Sequence, residues 1–191
     1  MHVLAISTSP RAKGNTTQLL DHMLQRSAKQ GASTELISLA GKSIVGCRAC
    51  GACRKNQDKK CAIKDDDFHP IFERMLVADV LLVGSPVFFG SATPEAMALL
   101  DRAGYVSRSN GNLFARKIGS PIVVARRAGH NFTFAQLLLW YMINGLVVPG
   151  SSYWAIAFGR VEGEVLSDAE GMKTAEDLVD NLLWLGEKTK D

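Results

Sequence analysis

Four cysteines, Cys47, Cys50, Cys53 and Cys61, lie close together and are the only cysteines in the chain. Their spacing is Cys-x2-Cys-x2-Cys-x7-Cys. Two overlapping x2 intervals let three thiolates curl around one compact centre while loop N–H groups point at sulfur. A longer loop then lets the fourth thiolate close the site, which is the arrangement an iron–sulfur cube needs. Zinc more often takes paired Cys-x2-Cys knuckles well separated in sequence. The run also differs from the bacterial ferredoxin pattern, in which proline follows the fourth cysteine, because here Cys61 precedes Ala62. On the residues alone three occupancies stay open: a 4Fe–4S cluster, a structural zinc, or free thiols. Arg48, Arg54, Lys55, Lys59 and Lys60 surround the cysteines. Cations there would stabilise an anionic thiolate-bound cube and attract an acidic partner, or they form an ordinary solvated loop.

A second constellation is Ser7-Thr8-Ser9-Pro10-Arg11-Ala12-Lys13-Gly14-Asn15-Thr16-Thr17. It joins an apolar strand pattern to a helix pattern. Hydroxyls of Ser7, Ser9, Thr16 and Thr17, the amide of Asn15 and the cations Arg11 and Lys13 meet where a helix N-terminus favours an anion. This segment is neither a Gly-x4-Gly-Lys-[Ser/Thr] P-loop nor a Gly-x-Gly-x2-Gly dinucleotide turn. The bland reading is a helix cap with turn residues. Hydroxyl density and position together favour a ligand phosphate.

The elements that must position these groups alternate between strand and helix. Val3 to Ile6 reads as a buried strand, and Thr16 to Gln30 as a helix stopped by Gly31, with Leu19, Leu20, Met23 and Leu24 on one face. Thr34 to Leu39 alternates like a strand, and the cysteine segment follows from about Ile44 to Lys64. The pattern predicts a helix over Asp66–Val77 limited by Pro70, a strand over Val80–Gly84, and a helix opened by Thr93 and Pro94 and running to about Val106. Residues 107–116 read as a loop, Pro121–Ala125 as a strand, Phe132–Ile143 as a helix and Ser152–Ala157 as a strand. Ser167 or Asp168 caps a last helix carrying Leu178, Val179, Leu182, Leu183 and Leu185. Strands alternating with helices imply an α/β fold with a five-stranded parallel sheet covered on both faces, in one domain spanning residues 1–191.

Composition narrows the function classes. A net charge of +3, without a basic stripe interleaved with aromatics, argues against nucleic acid. The stretch 131–159 carries no charged side chain, but Gln136, Asn144, Gly145, Pro149 and Gly150 interrupt it. No apolar run reaches the roughly 18 residues of a membrane span. It reads instead as a buried helix and strand, and its lack of charge on every side suggests a subunit interface. The N-terminal residues run straight into a strand, so a cytoplasmic protein is expected, where reducing conditions favour metal or redox use of cysteine over disulfides. No Ser–His–Asp or paired-carboxylate constellation calls for hydrolysis.

Ser-x-Ser-Pro-Arg-x-x-Gly-Asn-Thr after the first strand resembles the FMN phosphate loop of the flavodoxin-like NAD(P)H-dependent reductase superfamily. Gly84-Ser85-Pro86-Val87-Phe88-Phe89-Gly90-Ser91, followed by a helix carrying Asp101-Arg102, resembles its second flavin loop, and Ala125 to Asn131 sits where its third would be. The cysteine spacing then resembles that of the iron–sulfur flavoproteins, with Cys-x2-Cys-x2-Cys-x(4–7)-Cys between the second strand and the next helix. The resemblance covers roughly residues 1–160. It implies a flavodoxin-like doubly wound sheet with FMN across the C-terminal strand ends. It implies Ser7, Ser9, Pro10, Arg11, Asn15, Thr16 and Thr17 at the phosphate, and Pro86, Val87, Phe88, Phe89 and Gly90 along the ring. It implies that Ala128, Gly129 and His130 approach from the third loop, with one of Arg126 and Arg127 as a cation beside a reduced flavin; one of Phe88 and Phe89 is equally readable as core, and His130 as a structural loop residue. Cys47, Cys50, Cys53 and Cys61 would hold the 4Fe–4S cluster. The implied activity is electron transfer from a ferredoxin-like donor to a small oxidant in a homodimer or homotetramer. The alternative is an NAD(P)H-dependent FMN or quinone reductase with empty or zinc-bound cysteines.

Overall fold

The computed structural model describes residues 1–189. Five parallel strands, β1 (His2–Ser7), β2 (Ser33–Ser38), β3 (Val80–Pro86), β4 (Ile118–Ala125) and β5 (Ile156–Phe158), form one sheet in the order β2-β1-β3-β4-β5. This is the flavodoxin-like doubly wound order, with its switch point between β1 and β3. Helices α1 (Asn15–Lys29) and α6 (Ala169–Lys188) cover one face. Helices α3 (Phe68–Val77), α4 (Pro94–Ser109) and α5 (His130–Ile143) cover the other, and a short α2 (Ala52–Asn56) lies within the cysteine segment.

The central strands are unbroken apolar runs because both faces are covered. Leu4, Ile6, Leu81 and Val83 pack toward α3, α4 and α5, while Val3, Ala5, Val80 and Leu82 pack toward α1 and α6. Register places Ser7 beside Gly84, so the loops after β1 and β3 leave the sheet side by side and diverge to opposite faces. That divergence opens the crevice in which such sheets bind ligands.

Several boundaries differ from the sequence expectation. β4 starts at Ile118, not Pro121, because Gly119 and Ser120 carry no apolar signal yet pair with β3. Pro121 lacks an N–H but sits where β4 has no β5 partner, since β5 pairs only with Val123 to Ala125. β5 shrinks to three residues, starting at Ile156 instead of Ser152. α4 continues to Ser109, α5 starts at His130, and α3 starts at Phe68 with Pro70 still in its first turn. The expected cap of the last helix is Asp168, whose carboxylate accepts from Gly171 N at 3.1 Å.

The charge-free stretch is corrected more substantially. α5 buries Leu137, Trp140 and Tyr141, but Phe132, Leu139, Met142, Ile143, Tyr153 and Trp154 are exposed. The stretch is therefore half-buried, with an apolar outer face. Among the described residues no helix is long and apolar enough to cross a membrane.

Tyr141 fixes α5 to the sheet. Its hydroxyl lies 3.1 Å from Leu81 O and 3.0 Å from Ser120 O and donates into that pair, and burial pushes the phenol pKa up. Replacing it with phenylalanine removes the donor from two buried carbonyls. The expected loss is roughly 1–2 kcal/mol of unfolding free energy. Urea denaturation would show it, and an unchanged midpoint would mean that the ring alone holds the helix.

Candidate functional site

The first loop leaves β1 through Thr8, whose N–H donates to Gly84 O at 2.8 Å. Ser9 Oγ accepts from Arg11 N at 3.1 Å, and Gly14 N donates to Arg11 O at 3.0 Å, closing a tight turn onto α1. Gly14 is the N-cap, with no side-chain cap and no acidic residue in the first turn. The positive end of α1 is thus left uncompensated by the chain itself, as an anion site requires. A Cβ at Gly14 would lie 2.8 Å from Ser9 Oγ and 3.2 Å from Arg11 O, so glycine lets the loop fold closely.

The candidate phosphate residues divide. Arg11 and Pro10 are exposed at the loop's rim. Ser7 Oγ is spent on Thr17 Oγ1 at 2.7 Å, and Thr16 is buried. Asn15 turns away: its Nδ2 donates to Val161 O at 2.8 Å and its Oδ1 accepts from Gly163 N at 2.9 Å. It fastens the loop after β5, a role no local pattern announces. Thr8, outside the sequence-based set, has a buried hydroxyl with no partner.

The second loop continues from β3. Val87 N donates to Val124 O at 3.0 Å, and Phe88 and Ser91 exchange backbone hydrogen bonds of 2.8 and 3.0 Å. Between them Phe89 (φ 51°) and Gly90 (φ 82°) are left-handed, a two-residue turn costly for phenylalanine. Phe89 is fully exposed and Phe88 partly so, which corrects the expectation that one of them is core. Gln136 Oε1 steadies the turn by accepting from Ser91 Oγ and Ala92 N. The third loop packs against it: a Cβ at Gly129 would lie 2.9 Å from Val87 Cγ1 and 3.0 Å from Gly90 Cα. Arg126, Arg127 and Ala128 are exposed. His130 lies edge-on to Phe158 at 5.1 Å, and its Nδ1 is buried without a partner. Pro86, Val87, Phe88, Phe89, Gly90, Ala128 and Gly129 therefore lie on two neighbouring loops at the C-terminal edge of the sheet.

The four cysteines line one cavity of about 220 Å³, together with Arg102, Tyr105, Val106 and Ser109 of α4. They carry no disulfide. Cys53 Sγ lies 3.6 Å from Ser109 Oγ and 3.8 Å from Tyr105 O. Ala49 N donates to Cys47 Sγ at 3.4 Å, so one loop N–H of the expected kind does reach sulfur. Left-handed residues Ala49 and Gly51 bend the chain around the cavity. Among the described residues no three of the His, Cys, Asp or Glu side chains are gathered closely enough to hold a metal ion. One zinc would need its four sulfurs within about 2.3 Å of a single point. A cube is larger and takes its thiolates further apart.

The cysteine segment is pinned at both ends. Ser43 and Asp67 exchange two hydrogen bonds, Ser43 N to the carboxylate at 2.8 Å and Asp67 N to Ser43 O at 2.9 Å. His69 Nε2 lies 3.1 Å from both Cys61 O and Ile63 O. The central fastening is Arg102, on the helix that follows the second loop. Its guanidinium donates to Val45 O at 3.1 Å, to Ile63 O at 2.9 Å and to the Asp66 carboxylate. Both side chains of the pair are fully buried, and the guanidinium sits 4.0 Å above the Phe68 ring. Arg102 Nε has no partner. The sequence held a signal: Arg102 lies on the α4 face with Leu99, Ala103 and Val106, where a charge needs a buried counter-ion. The surrounding Arg48, Arg54, Lys55, Lys59 and Lys60 are exposed.

Burial pushes the Asp66 carboxyl up, but hydrogen bonds from Arg102, Val45 N and Phe68 N outweigh it and hold the group below its usual range. The depressed folded value fixes the sign. The contribution to stability is complete above the unfolded value of about 3.9 and is lost as pH falls through the folded value. Protection of the amides of residues 44–64, measured relative to intrinsic exchange, should therefore fall on acidification below about pH 4 in advance of the central strands. Protection that persists until the whole sheet opens would show that Asp66 does not hold the segment.

Residues 1–160 match the family described as NADPH-dependent FMN reductase. An iron–sulfur flavoprotein of Methanocaldococcus jannaschii is 34% identical over 185 residues, with 93% of each chain covered. An iron–sulfur flavoprotein of Methanosarcina thermophila is 30% identical over 195 residues, with both chains covered in full. Among solved structures, RosB with a bound 8-demethyl-8-formylriboflavin-5'-phosphate intermediate has a TM-score of 0.79 at 19% identity, covering 98% of this chain and 79% of that one. That last likeness concerns the fold. The family match over residues 1–160 and the relatives matched over nearly the whole chain make this chain an oxidoreductase of the iron–sulfur flavoproteins, within the NADPH-dependent FMN reductase family.

Proposed function

We propose that the protein binds FMN across its C-terminal strand ends and a 4Fe–4S cluster in the cysteine cavity, and that it passes electrons from a one-electron donor to a small oxidant such as dioxygen or peroxide. The observation that carries this reading is the single cavity lined by all four cysteines and the buried cation Arg102. The uncapped α1 N-terminus and Arg11 would hold the phosphate. The loops 86–90 and 126–130 would flank the ring, with Gly90 and Gly129 allowing close backbone approach. Arg126 would place a cation beside a flavin that gains negative charge. When bound, the two groups supply the joining of one-electron to two-electron transfer, and the protein supplies binding, orientation and electrostatics. Exposed cations around the cysteines suit an acidic ferredoxin-like partner. The apolar outer face of α5 suits a second copy, in a homodimer or homotetramer, and unpaired thiols suit the reducing cytoplasm.

A second reading is favoured by the matched family: direct hydride transfer from NADPH to FMN, with the cysteines serving no cluster. Iron, acid-labile sulfide, zinc and flavin per subunit, measured on protein purified without oxygen, decide between them. About four iron, four sulfide and one FMN, with rapid flavin bleaching by reduced ferredoxin and not by NADPH, is the expected result. Flavin without iron after cluster reconstitution, bleached directly by NADPH, would establish the second reading.

A further inference from the structure

Arg102 does more than fasten the cysteine segment. Two carbonyls and the Asp66 carboxylate engage its terminal nitrogens and account for the clamp. They leave Nε, also buried, without a partner. Arg102 is among the residues that line the cavity, whereas Asp66 is not. Beside a cavity of neutral thiols the guanidinium would serve only as that clamp, at a desolvation cost that a well-packed apolar side chain would avoid. An anionic centre held by four thiolates does have a use for it: reduction adds negative charge, and a fixed cation nearby favours the reduced form.

We propose that Arg102 is a positioning residue that sets the reduction potential of the centre held by Cys47, Cys50, Cys53 and Cys61. Its buried guanidinium places a fixed positive charge beside the cavity that the four cysteines line. Asp66 works in the opposite sense, since it partly cancels that charge from behind. This rests on the cluster reading above.

The test uses the full chain, reconstituted without oxygen, with iron and sulfide assayed and the cluster potential read by an EPR-monitored redox titration. Arg102→Gln should retain iron and shift the midpoint to more negative values, and Arg102→Lys should restore part of the shift. Asp66→Asn should shift the midpoint to more positive values. Opposite signs are the mark of charge, because a purely structural clamp would move both variants alike. An unchanged midpoint in Arg102→Gln, or shifts of the same sign in Arg102→Gln and Asp66→Asn, would overturn the proposal. So would loss of iron from both Arg102 variants while Asp66→Asn keeps a wild-type midpoint. Wild-type protein that takes up no iron or sulfide would instead remove the cluster reading itself, and this proposal with it.

Discussion

Cys50→Ser is expected to abolish iron and acid-labile sulfide while leaving FMN bound and the fold intact. A cube needs four soft thiolates, and a serine hydroxyl does not ionise at neutral pH. Cys50 is the cleanest position because it is the exposed member of the four. Its loss removes no core packing, so the change in apoprotein stability should stay within about 0.5 kcal/mol. Cys53 is a poorer choice, since it packs against the core and contacts Ser109 and Tyr105. FMN should stay because its proposed loops follow β1, β3 and β4, whereas the cysteines follow β2 and pack on α4. Iron and flavin measured on the same sample decide the matter. A variant that keeps four iron would remove Cys50 from the ligand set, and one that loses flavin with iron would show the two sites to be coupled.

Gly14→Asp is expected to abolish tight FMN binding. Gly14 has φ −66° and ψ 163°, open to any residue, and it stands at an N-cap with no side chain to cap the helix. An aspartate there supplies the missing acceptor, worth about 1 kcal/mol, but its Cβ displaces the Ser9 hydroxyl from Arg11 N and crowds Arg11 O, which offsets that gain. The same carboxylate puts a fixed negative charge in the proposed phosphate site. At roughly 5 Å and an effective dielectric near 20, repulsion of about 3 kcal/mol or more weakens binding at least about 100-fold. Gly14→Asn is the control, because it caps the helix without the charge. Fluorescence titration of the apoprotein with FMN measures both variants. Equal weakening would reduce the effect to crowding, and unchanged affinity in Gly14→Asp would place the phosphate elsewhere.

Local chemistry made much of this protein legible. The strand cores, the helix faces and the turn at Gly14 are written in near neighbours, and so is the cysteine spacing. Strand ends were less legible where Gly119 and Ser120 join β4 by pairing alone, without an apolar side chain to announce them. The half-exposure of α5 was also unreadable, because a helix apolar on every side does not say which side has a partner.

By itself the sequence determined the alternation of strand and helix, the hydroxyl-rich loop that opens α1, and the four cysteines with cations around them. Each depends on residues a few positions apart, whose geometry the backbone fixes. Only the tertiary structure decided that Asn15 serves the loop after β5, that Thr8 carries the orphaned hydroxyl, and that Arg102 belongs to the cysteine cavity. Those assignments join residues 36 to 148 positions apart. Such pairings depend on how the sheet stacks its helices and on which buried polar group can reach a partner, and no local pattern encodes either.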